Sequence, residues 1–136
     1  MFKDYLNCYM TQGFKSFCEE NECYWFFTDT AVILMDTDRN IKDKEDFILI
    51  HLVAIDNKAY LKLYSDYSNE DIEFNKEHLL YEQNYPYTDL KNGTYQFYAC
   101  KNELNTYTFM LKEEYWKMKF ENILKEGYKL QDIVKE

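Results

Sequence analysis

Proline occurs once, at Pro86, and glycine three times, at Gly13, Gly93 and Gly127, in a chain of 136 residues. That scarcity excludes collagen-like and Pro/Gly-rich low-complexity chains. Histidine is limited to His51 and His78, so little imidazole is available for proton transfer near neutral pH. No apolar run reaches the roughly 18–20 residues that cross a bilayer. The opening Met1-Phe2-Lys3-Asp4 also lacks the apolar stretch of a secretory leader. A cytoplasmic protein without membrane association is the expectation. Lysine and arginine are short as well, 16 against 25 acidic residues, for a net charge of −9. Direct binding to nucleic acid or anionic lipid is disfavoured, because phosphate contacts need cations.

Several motifs that carry chemistry are missing. There is no G-x-x-x-x-G-K-S/T loop, G-x-G-x-x-G fingerprint, G-x-S-x-G elbow or H-E-x-x-H pair. Cys18 and Cys23 have a spacing that zinc tolerates, yet no second Cys or His pair follows to complete a tetrahedral site. With Cys8 and Cys100 they read as reduced, buried thiols in a cytosolic protein. Asp56-x-Lys58 has the carboxylate-x-lysine form of metal-dependent nucleases, but it falls at an expected hairpin tip, where a turn explains it better. His51 lies in an apolar strand pattern and reads as a hydrogen-bonded core or interface residue. No catalytic residue, metal or cofactor is assigned.

What is abundant is core material, with 46% hydrophobic and 19% aromatic residues. One domain over 1–136 accommodates it. Residues 1–35 read as helical: Thr11 is a permitted N-cap for a segment whose Phe14, Phe17 and Cys18 share a stripe, and Tyr24–Met35 is apolar nearly all round. Within that second run Asp29 needs a partner or an exposed edge. Residues 36–46 form a charged surface connector.

The period then changes. Phe47–Ile55 and Tyr60–Tyr64 read as strands joined at Asp56-Asn57-Lys58, followed by strands at Leu79–Tyr87, Tyr95–Cys100 and Tyr107–Leu111. Residues 66–77 interrupt them as an acidic insertion with mixed helix and strand signals. From Lys112 the period returns to 3.6, giving a C-terminal helix over 112–127 that Gly127 ends. The expected fold is therefore α+β: N-terminal helices on a four- to five-stranded, mainly antiparallel sheet spanning 47–111, plus a C-terminal helix.

The segments Gly13-Phe14-Lys15, Tyr24-Trp25-Phe26-Phe27, Tyr81-Glu82-Gln83 with Tyr85-Pro86-Tyr87-Thr88-Asp89, and Glu114-Tyr115 resemble a family of uncharacterised small proteins from phages and bacterial mobile elements. The resemblance covers about residues 10–115. It implies an N-terminal helix leading into a four- or five-stranded antiparallel sheet, and no established activity. Where the family has an acidic residue after its Tyr-Trp run, this chain has Thr28, with Asp29 one step on.

Charge is unevenly spread. Residues 1–40 hold seven acidic and three basic side chains, and residues 67–90 hold six and one. In the second stretch carboxylates interleave with tyrosines, and a partner-binding surface is assigned to Asp66, Tyr67, Glu70, Asp71, Glu73, Glu77, Tyr81, Glu82, Tyr85 and Tyr87. Carboxylates pair with arginines of a nucleic-acid groove, while tyrosines give rigid contact area. The expected function is non-enzymatic binding of a basic protein surface, with a nuclease or CRISPR effector as the candidate partner and inhibition as the outcome. The alternative is a structural or regulatory protein, such as a homodimer, that self-assembles through a tyrosine-rich sheet face or the C-terminal helix.

Overall fold

A computed structural model describes residues 2–3, 6–65 and 78–117. The strands are β1 (Phe2–Lys3), β2 (Tyr9–Met10), β3 (Phe47–Ile55), β4 (Lys58–Ser65), β5 (Leu79–Tyr85), β6 (Gly93–Lys101) and β7 (Tyr107–Leu111). The helices are α1 (Gln12–Glu20), α2 (Tyr24–Met35) and the single turn α3 (Ile41–Lys44), with a further helix opening over 112–117. The strands form one sheet in the order β1-β2-β7-β6-β3-β4-β5. All neighbours are antiparallel except β2 and β7. The five long strands are the expected antiparallel set. The two short ones raise the count among the described residues to seven.

Two boundaries differ from the sequence reading. Residues 1–35 are not helical throughout, because Phe2–Lys3 and Tyr9–Met10 are strands, the latter paired with Thr108 and Phe109. The connector 36–46 is more than a surface loop: Ile41 is buried, the Tyr107 hydroxyl donates to the Glu45 carbonyl, and the Lys101 ammonium donates to the Lys42 carbonyl. The expectations for 66–77, and for the helix beyond 117, lie outside the described residues.

Local chemistry explains the elements. The Thr11 hydroxyl caps α1 by accepting from the Phe14 amide at 3.3 Å. Asp56 (φ 51°) and Asn57 (φ 66°) both adopt left-handed backbone between the paired residues Ile55 and Lys58. This is a two-residue type I′ turn, whose twist matches that of the strands. The end of α1 is a Schellman motif: Glu22 is left-handed at φ 50°, its amide reaches the Glu19 carbonyl at 3.4 Å, and the Cys23 amide reaches the Cys18 carbonyl at 3.0 Å.

Strand alternation divides the side chains between two faces. On one face Ile48, Ile50, Leu52, Leu61, Leu63, Phe97, Ala99 and Phe109 meet Phe14, Cys18, Phe26, Phe27 and Leu34 of α1 and α2. Phe14 is fully buried at the centre, with ring centroids 5.2 Å from Phe97 and 5.4 Å from Phe109. On the opposite face a smaller cluster of Leu49, Tyr64, Tyr98 and Met110 is covered by Tyr115 from the helix that begins at 112. Of the aromatic run on α2, Phe26 and Phe27 are in the core, while Trp25 is half-buried at its rim.

Candidate functional site

Of the sequence-predicted residues that fall within the described regions, Tyr81, Glu82 and Tyr85 are on strand β5, at the edge of the sheet among the described residues, and Tyr87 follows just beyond it. The strand's alternation separates the first three. Tyr81 and Tyr85 turn towards the helical layer, whereas Glu82 stands on the other face opposite Lys62. The Tyr81 hydroxyl donates to Gln83 Oε1 at 2.6 Å, and the Arg39 guanidinium sits 4.7 Å from the Tyr81 ring centre. The Tyr85 hydroxyl donates to Asp29 Oδ2 at 3.1 Å, and its ring packs against Trp25 at 4.9 Å. Burial, then the Asp29 carboxylate, pushes the Tyr85 phenol well above its ordinary value. Asp29, whose sequence context demanded a partner, has one.

Beyond the strand the chain wraps the hairpin tip. The buried Thr88 donates its amide to the Asn57 carbonyl at 2.7 Å, and Asn92 Oδ1 accepts from the Asp56 amide at 3.0 Å. Just before these anchors Tyr87 is 67% exposed, its hydroxyl donating to Asp89 at 2.6 Å. That bond raises the Tyr87 phenol above its ordinary value. Tyr81, Tyr85 and Thr88 therefore hold the fold, and of the residues assigned to the partner surface here Glu82 and Tyr87 are the ones open to solvent. Asp66, Tyr67, Glu70, Asp71, Glu73 and Glu77 lie outside the described residues.

The face of the sheet opposite the main core presents a polar row. Glu82, Lys62, His51 and Gln96 stand in register across β5, β4, β3 and β6. Lys112 closes the row by donating to Gln96 Oε1 at 3.1 Å. Burial, and then the neighbouring Lys62 ammonium, holds the half-buried His51 imidazole below its ordinary value, so it is neutral at pH 7. A shallow hollow of about 370 Å³ lies beside it, lined by His51, Val53, Tyr60, Lys62 and Tyr64.

A second acidic region lies on the helical layer, and the partner-site assignment did not include it. Between Gln12 and Asp38 six carboxylates face one lysine. Glu19, Glu20 and Glu22 are exposed at the α1–α2 corner. Lys15 reaches Glu19 at 3.5 Å, and the last turn of α1 contains no basic residue. Carboxylates there oppose the negative end of the helix dipole. Charge counting over 1–40 carried this signal; the missing step was to place it on one corner.

All four cysteines remain thiols, and among the described residues no group of three or more His, Cys, Asp or Glu is placed to hold a metal ion. Among the same residues no helix is long and apolar enough to cross a membrane.

The chain belongs to a family of unknown function, DUF6876, whose model matches residues 1–115. No curated protein and no solved structure matches it.

Proposed function

We propose that the protein acts by binding, presenting an acidic surface edged with aromatic residues to a basic partner protein in the host cytoplasm. The observation that carries this reading is the placement of Glu19 and Glu20 in the last turn of α1, with Glu22 just beyond. A sequence optimised for stability alone would put cations there. Local rules are broken most often where function requires it. The carboxylates of Asp66, Glu70, Asp71, Glu73 and Glu77 add charge of the same sign.

The partner chemistry follows from the charge. A groove built for phosphates is lined with lysine and arginine, which accept carboxylates through the same charge-assisted hydrogen bonds. A protein of phage or mobile-element origin that occupies such a groove in a nuclease or CRISPR effector would exclude the nucleic acid and inhibit the enzyme.

Self-association is the second reading. It is favoured by Ile55 and Tyr60, 49% and 37% exposed along the partly covered sheet face. Salt separates the two. Tagged protein should capture a partner from a nuclease-treated host lysate at low ionic strength and release it as salt approaches 1 M, where the screening length falls to about 3 Å. Retention unchanged by salt, or elution only as a multiple of this chain, would overturn the acidic-capture reading.

A further inference from the structure

The Schellman motif at the end of α1 forces together the side chains of its third-last helical residue and of the second residue beyond the cap. That pair frequently makes an apolar contact. Here both positions are cysteine. The Cys23 amide is bonded to the Cys18 carbonyl at 3.0 Å, and the Cys18 thiol makes a hydrogen bond to Cys23. Cys23 is also the N-cap of the twelve-residue helix α2, where the positive end of the dipole favours a thiolate. The Cys18 hydrogen bond lowers the Cys23 thiol below its ordinary value.

The other two cysteines differ. Burial raises the Cys8 thiol, and Cys100 lies on the opposite face of the sheet from the other three.

We propose that Cys18 and Cys23 form a redox-responsive dithiol that closes to an intramolecular disulfide by exchange with a low-molecular-weight disulfide. The Cys23 thiol loses its proton to solvent, and its sulfur attacks one sulfur of the small disulfide, breaking that bond and releasing one thiolate. Cys18 then loses its proton, and its sulfur displaces the second small thiol from Cys23. One small disulfide is reduced to two thiols while two protein thiols are oxidised to one disulfide. Both cysteines are fully buried, so the first attack requires the α1–α2 corner to open locally. Oxidation then ties the end of α1 to the start of α2.

Trypsin cleavage after Lys15 and Arg39 isolates Cys18 and Cys23 on one peptide with no other cysteine. Full-length protein incubated with oxidised glutathione, quenched in acid and digested should yield this peptide lighter by two hydrogen atoms and free of glutathione. Dithiothreitol should restore its mass. In Cys18→Ala the second step is blocked, so glutathione should remain on Cys23. If that variant does not fold, the wild-type peptide alone decides. An unshifted peptide, or one that retains glutathione, overturns the proposal.

Discussion

Gly13 and Glu114, a hundred and one residues apart in sequence, are in direct contact: the Gly13 amide donates to Glu114 Oε2 at 3.0 Å. The other carboxylate oxygen accepts from the Thr11 hydroxyl at 2.5 Å and from the Leu111 amide at 2.9 Å. One side chain thereby satisfies an otherwise orphaned donor at the start of α1 and ties that helix to the end of β7. A Cβ on residue 13 would come within 2.6 Å of the Glu114 carboxyl carbon.

Gly13→Ala is therefore expected to act by evicting Glu114. Hydrogen bonds to a charged group contribute about 1.5–3 kcal/mol, and each single variant, Gly13→Ala or Glu114→Ala, should lose an amount of that order. The double variant should lose little more than either one, because both remove the same set of bonds. Additive losses in denaturant titrations would show that the two residues act separately.

The core should discriminate among aromatics. Phe14 is fully buried between the helices and the sheet, so Phe14→Ala should cost about 3–5 kcal/mol. Trp25 packs at a tilt against Tyr85 at the rim, and Trp25→Ala should cost roughly 1–2 kcal/mol. Equal losses at the two positions would place Trp25 in the core rather than at its edge.

Stability should fall at alkaline pH through Tyr107. Its fully buried hydroxyl donates to the Glu45 carbonyl, and burial, followed by the Glu45 and Asp46 charges, raises its pKa well above the ordinary value. Below pH ~10 the phenol is protonated in both folded and unfolded chains, so it adds no pH dependence. Above that pH the unfolded chain ionises while the folded one stays neutral, and stability drops by up to about 1.4 kcal/mol per pH unit for this group. Tyr107→Phe should flatten that slope in urea titrations taken from neutral to alkaline pH. An unchanged slope would assign the loss to other tyrosines, Tyr85 first.

Much of this architecture is legible because it is local. Thr11 caps α1 through a contact three residues away, and Asp56-Asn57 makes a turn that its own backbone preferences select. Tyr9–Met10 was not legible: two residues have no period, and the strand is defined by its distant partners, β7 on one side and β1 on the other. Ile41 was hidden inside a charged run. The candidate site divides for a similar reason. Composition marked Tyr81, Glu82 and Tyr85 as one surface, but strand alternation sends the tyrosines to the helices, and Asp29 and Arg39 receive them there. The resemblance motifs containing Gly13, Tyr85, Thr88 and Glu114 coincide with bonds that hold the fold.

The acidic surface makes a prediction in which stability and binding move in opposite directions. Glu20 is exposed in the last turn of α1 and faces the negative end of the helix dipole. Glu20→Lys should therefore stabilise the fold, by roughly 0.3–1 kcal/mol. If the α1–α2 corner contacts a basic partner, the same change, and more strongly Glu20→Lys with Glu22→Lys, should weaken capture and reduce its salt dependence. Reversing Glu70, Asp71, Glu73 and Glu77 to lysine tests the other acidic stretch in the same assay, with circular dichroism to show that the fold survives. Loss of binding in only one set identifies the contacting stretch. Folded variants of both sets that capture the partner with unchanged affinity would leave the carboxylates as a solvated surface and remove the basis for acidic mimicry.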